Sequence, residues 1–128
     1  MKLMTKIFTI IAAIFGGLSV GAGAFAAHAL RERLSEKSLS IFETAARYQM
    51  YHALALLLVA LLLIQDKITQ PTLVAAGWCF IVGILIFSGS LYALSLTDVK
   101  VLGAITPLGG AAFIAGWGAL AIAAFNFK

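Results

Sequence analysis

The side chains with chemistry to offer in this sequence are His28, Tyr48, Gln49, His52, Ser88, Ser90, Tyr92 and Thr106. A histidine can hold a metal or haem iron, or exchange a proton near neutral pH. A serine becomes a nucleophile when a base stands beside it. Tyr48 and His52 are spaced i, i+4, Gln49 and His52 i, i+3, and Ser88 and Tyr92 i, i+4, so each set shares one helical face. As a catalytic set they are incomplete. Asp98 lies in an exposed polar break, so no orienting acid is evident. Two histidines give zinc no third ligand, and the lone Cys79 supports neither a disulfide nor a cysteine cluster. No catalytic residue, metal or cofactor is therefore assigned. The eight residues are read as a candidate polar, ligand-binding pocket, with haem between His28 and His52 the less favoured alternative.

The elements that must position these groups follow from composition. The 128 residues are 62% hydrophobic and 11% charged, with a mean hydropathy of +1.06. That is too little charge to cover a water-facing surface, so the solvent is lipid and the length allows one domain. The net charge of +4 does not point to nucleic acid. The basic residues stand singly at the ends of apolar runs, as membrane anchors do. Four runs are long enough to span, at roughly 20 residues each: about 7–30, 41–64, 72–96 and 101–127. Gln65-Asp66-Lys67 before Pro71, and Thr97-Asp98-Val99-Lys100, separate the later ones. The expected fold is all-α, an integral-membrane four-helix bundle with a short polar, amphipathic segment between helices 1 and 2. Within that segment Ser40 and Glu43 have capping-box spacing, which predicts a second helix starting near Ile41. A signal peptide is the rival reading of the N-terminus, but the apolar stretch exceeds an h-region.

Depth gives the polar residues their meaning. Let side A be the side of the termini and side B the opposite one. His28 ends helix 1 at side B, and Tyr48, Gln49 and His52 begin helix 2 there. Ser88, Ser90 and Tyr92 approach side B late in helix 3, and Thr106 and Pro107 leave it early in helix 4. At 1.5 Å per residue nearly all fall within about 12 Å of one face. This predicts a single pocket open toward side B, above an apolar side A half. The plainer alternative is that Ser88, Ser90 and Thr106 bond their own helix carbonyls and staple the bundle. Trp78, Trp117 and Tyr51 read as packing or interfacial anchors, and Glu43 and Arg47 as an exposed i, i+4 pair.

Small residues mark expected contact faces. Ala13, Gly17, Gly21, Ala24 and His28 form one stripe on helix 1, and Gly109, Gly110 and Gly116 another on helix 4. Lys2, Lys6, Lys67 and Lys128 on side A nearly balance Arg31, Arg33, Lys37, Arg47 and Lys100 on side B. Lys2 and Lys6 flank the first helix to insert, so both termini are assigned to the cytoplasm.

The stretches Gly23-Ala24-Phe25-Ala26-Ala27-His28-Ala29-Leu30, Tyr48-Gln49 with His52, Phe87-Ser88-Gly89-Ser90-Leu91-Tyr92, and Thr106-Pro107-Leu108-Gly109-Gly110 with Gly116-Trp117 carry a resemblance. In that order they are similar to the small membrane proteins of domain of unknown function 423. These include YgdD-like bacterial inner-membrane proteins and, in eukaryotes, transmembrane protein 256. Ala26 departs from a position often occupied by glycine in that family. The resemblance implies four spans and an uncleaved first helix in the bacterial inner membrane, and no activity. The expected role is that of a structural, assembly or small-ligand-binding bundle. Its partners would be membrane lipids, and a second copy or another membrane protein. The alternative is a subunit of an oligomeric transporter or channel.

Overall fold

A computed structural model describes residues 2–65 and 70–128. Four helices long and apolar enough to cross a membrane succeed one another: α1 (Leu3–Leu30), α2 (Glu36–Gln65), α3 (Pro71–Thr97) and α4 (Leu102–Phe125). They form the expected helical bundle. Asp66 and Lys67 of the predicted break lie outside the described residues.

α2 starts five residues before the predicted Ile41. The hydroxyl Oγ of Ser35 accepts from the Ser38 backbone N–H at 3.1 Å, so Ser35 is the N-cap and Glu36 opens the helix. Ser40 lies inside the helix, its carbonyl accepting from the Thr44 hydroxyl at 2.9 Å. The capping-box spacing is present without the geometry. The polar segment is therefore the first turns of α2, preceded by a short turn at Arg31–Leu34. Pro71 occupies the first turn of α3, where its missing N–H costs nothing. Pro107 sits inside α4 and leaves the Gly103 carbonyl without its helical donor. The α3–α4 link turns through Asp98 in the left-handed region, φ 57°.

Both α1 and α3 contain a π-helical stretch, Ala26–Leu30 and Ile84–Ser88. Within the second, Ser88 bonds to α2, while the backbone of Phe87 lies against Gly109 of α4.

The helices pack in chain order: α1 along α2, α2 along α3 and α3 along α4. The α3–α4 seam interlocks through glycines. Gly116 of α4 receives the Phe80 ring, whose Cε1 would lie 2.7 Å from a Cβ there, and Gly83 of α3 receives the Phe113 ring. Gly109 lies against the α3 backbone, with Phe87 Cα 2.7 Å from where its Cβ would stand. Gly110 meets Phe87 only at ordinary distance, 3.9 Å. Gly77 of α3 takes the ring of Phe8 from α1. By contrast, Gly17 and Gly21 meet nothing within 4 Å. Helix 1 buries Phe8, Ala12, Ser19, Ala26 and Leu30 instead. With no hydrophobic drive in lipid, these bulky knobs set which face turns inward.

The side A half of the interior is filled by Phe8, Leu56, Val59, Leu63, Leu73 and Ala76, all of them fully buried.

Candidate functional site

The polar groups meet on α2, which bonds to each of the other three helices within two turns. Toward α1, Gln49 donates from Nε2 to the Phe15 carbonyl at 2.8 Å, and Ser19 donates to the Ala46 carbonyl at 2.6 Å. Toward α3, Ser88 donates to the Ala45 carbonyl at 2.8 Å, and Tyr92 donates to Gln49 Oε1 at 2.7 Å. Toward α4, Trp117 donates from Nε1 to His52 Nε2 at 3.1 Å. Each bond satisfies a polar group that lipid could not.

His52 is held on every side. Its Nδ1 stands 2.8 Å from the Tyr48 carbonyl. Since Nε2 accepts from Trp117, the proton is on Nδ1 and the ring is the neutral tautomer. The imidazole stacks on Phe113 with centroids 3.5 Å apart and planes 6° from parallel. Tyr48, also stacked on His52, closes against Phe87 with centroids 4.8 Å apart.

Ser90 and Thr106 form a third group between α3 and α4. Their hydroxyl oxygens are 2.6 Å apart; Ser90 also reaches the Phe87 carbonyl at 3.0 Å, and Thr106 the Leu102 carbonyl at 3.3 Å.

The eight predicted residues thus occupy four places. Gln49, Ser88 and Tyr92 stand together between α1, α2 and α3; Tyr48 and His52 turn toward α4; Ser90 and Thr106 join α3 to α4; and His28 is exposed on the outer surface. The common depth is also corrected. Because α2 begins at Glu36, Gln49 and His52 lie about 20 and 24 Å along it. Gln49 is level with Phe15, so His52 falls some 24 Å below His28, counting along α1. One haem cannot take both as axial ligands.

Sequence reasoning did not place two participants in the network. Ser19 is the only polar side chain between Phe15 and Ala27, and that isolation was its signal. Trp117, expected as a packing or interfacial anchor, carried no signal of this bond, since an anchoring indole and one with a buried hydrogen-bond partner look alike in sequence.

Two gaps lie between helices that are not neighbours in chain order. The one between α2 and α4 is closed by the rings of Tyr48, His52, Phe113 and Trp117. The one between α1 and α3 stays open as a cleft of about 580 Å³. Phe15, Leu18, Gly21, Ala22 and Phe25 line it from α1, Ile84, Leu85, Gly89 and Leu96 from α3, and Gln49 and Phe42 form its floor on α2. Along α1 and α3 it runs about 15–18 Å, half of a hydrocarbon core of ~30 Å. Phe42 packs edge-on against Tyr92, centroids 4.9 Å apart, so even the Tyr92 ring presents carbon to the cleft.

Fold and site together define a four-span helical membrane protein, stapled by a buried hydrogen-bond network and carrying a lateral apolar cleft. The chain belongs to the family described as a protein of unknown function, DUF423, whose model matches residues 22–110. It is 49% identical to a UPF0382 membrane protein of Staphylococcus epidermidis (strain ATCC 12228 / FDA PCI 1200), over 95% of this chain and 98% of that protein. It is 47% identical to the UPF0382 membrane protein YwdK of Bacillus subtilis (strain 168), over the same shares of both chains. No solved structure matches it.

Proposed function

We propose that this protein is a non-catalytic membrane bundle that holds one hydrocarbon chain of a bilayer amphiphile in the α1–α3 cleft. The observation that carries this is the pairing of the cleft's polar groups with one another. Gln49 bonds to Phe15 and Tyr92 and Ser88 to Ala45, so the surface left to a ligand is carbon. The length of the cleft is that of one leaflet, and its volume falls within the ~300–1,000 Å³ of ligand clefts. The contrast between the two gaps adds support. Four rings fill the α2–α4 gap, whereas Gly21, Ala22 and Gly89 leave the other open.

The same groups do not suit a nucleophile or a base. The Ser88 and Ser90 hydroxyls are bonded to carbonyls, and both ring nitrogens of His52 are engaged. The transporter alternative finds no support in the close-packed side A half. We assign the chain to the bacterial inner membrane with both termini cytoplasmic, on the strength of Lys2 and Lys6 before the first span.

The test is native mass spectrometry of protein released in mild detergent, compared with Gly89→Leu. A Cβ at Gly89 meets nothing within 4 Å, so leucine plugs the cleft without disturbing the bundle. One stoichiometric lipid on the wild type, lost from Gly89→Leu at unchanged melting temperature, is expected. Equal lipid on both proteins, or none on either, would overturn the reading.

A further inference from the structure

Glu43 and Arg47 are exposed on α2, and the bundle's own hydrogen bonds fix their depth. Ala46, next to Arg47, accepts from Ser19 of α1. Ser19 lies 11 residues from Leu30, the side B end of that span, or about 16 Å. Glu43 is one turn nearer side B. At this level the neighbouring spans turn carbon outward: Leu18 and Val20 on α1, Leu85 on α3 and Leu108 on α4 are all exposed. So, among the described residues, the only charges on this belt of the surface stand where the other three helices meet hydrocarbon. Charged side chains inside a membrane normally face the protein interior or a water-filled cavity. Here they face out, and among the described residues neither finds an ion-pair partner within the chain.

The surface around them has a defined shape. Glu43, Arg47, Ala46 and Met50 of α2, with Ser19 and Gly23 of α1, line a groove of about 400 Å³ on the other side of the α1–α2 seam from the apolar cleft. A Cβ at Gly23, and at Gly16 two turns away on the same side of α1, would meet nothing within 4 Å. This allows another backbone to approach closely.

We propose that a second copy of this chain covers this groove, about a two-fold axis along the membrane normal, with Arg47 of each copy paired to Glu43 of the other. Charge decides the occupant. The groove carries one cation and one anion, one turn apart on one helix, which is the pattern a two-fold contact needs to complement itself. Both copies have the same topology, so equivalent residues stand at equal depth. A long arginine side chain reaching toward side B rises about one turn, to the height of the partner's Glu43. The pairing withdraws two cations and two anions from lipid at once. A neutral acyl chain would bring neither charge a partner, leaving Glu43 and Arg47 only each other along α2, a pairing this structure does not make. An unrelated membrane protein would need the opposite charges placed by coincidence.

The experiment is cross-linking in native membranes with a short bis-maleimide, using Gly23→Cys in a Cys79→Ala background. Glu43→Arg, Arg47→Glu and the double exchange are then added to it. A product of twice the chain mass is expected, reduced at least tenfold by either single exchange and restored by both together. All three positions are exposed, and the melting temperature of each variant in detergent separates lost assembly from lost fold. A dimer indifferent to the single exchanges, a double exchange that fails to restore it, or products only with proteins of other mass would each overturn the proposal.

Discussion

The indole N–H of Trp117 donates to His52 Nε2 at 3.1 Å across two helices that are not neighbours in chain order. That bond fixes the tautomer of His52, which then gives its remaining proton to the Tyr48 carbonyl. An imidazole so engaged is a structural staple between α2 and α4. Trp117→Phe keeps the ring against Phe80 and removes only the donor. A loss of about 0.6 kcal/mol, and no more than ~1.7, is expected from membrane hydrogen-bond averages. Reversible unfolding in mixed micelles measures it, and His52→Ala should cost more because the Phe113 stack goes as well.

Gly109 and Gly17 should part company. Alanine at Gly109 would set its Cβ 2.7 Å from Phe87 Cα, against backbone that cannot rotate away. A loss of roughly 1–3 kcal/mol is expected from such overpacking. Alanine at Gly17 meets open space and should leave the fold as stable as before or slightly more so. Thermal melts of the two variants in one detergent compare them directly.

Gln49 ties α1 and α3 to α2 through one amide. Gln49→Leu should loosen α1 most, since the remaining side-chain bond from α1 to α2 at that level is Ser19 to Ala46. Faster amide exchange in Phe15–Phe25, with little change in α4, is the expected pattern. A Gln49→Leu, Tyr92→Phe double-mutant cycle should return a coupling near 0.6 kcal/mol.

Asp98 holds the α3–α4 turn at φ 57°, a region that glycine enters without penalty. Asp98→Gly should be neutral or stabilising by up to ~1 kcal/mol, whereas a β-branched Asp98→Val should destabilise by about 1–2 kcal/mol. Denaturation midpoints of the two variants should fall on opposite sides of the wild type, or Gly should match it.

Ser35→Ala should unravel the first turn of α2 at a cost of about 1 kcal/mol, and Ser40→Ala should not. Exchange rates of the Ser38 and Leu39 amides distinguish the two.

Four apolar runs and the charges that bound them were enough to determine that this chain spans a membrane four times as helices. Lipid offers backbone groups no hydrogen bonds, so helix is the only outcome for such runs. Gly109 and Gly116 could be read as contact residues because small side chains let helix backbones approach in lipid. Three things awaited tertiary structure. The start of α2 depended on which of two serines, Ser35 or Ser40, met a free N–H. The facing of α1 was decided by where Phe8 finds room at Gly77, which turned Gly17 outward against the expectation of the small-residue stripe. The single pocket divided because depth and facing both depend on register. Bonds such as Ser19 to Ala46 and Ser88 to Ala45 join residues 27 and 43 positions apart, and no spacing within one helix carries that information.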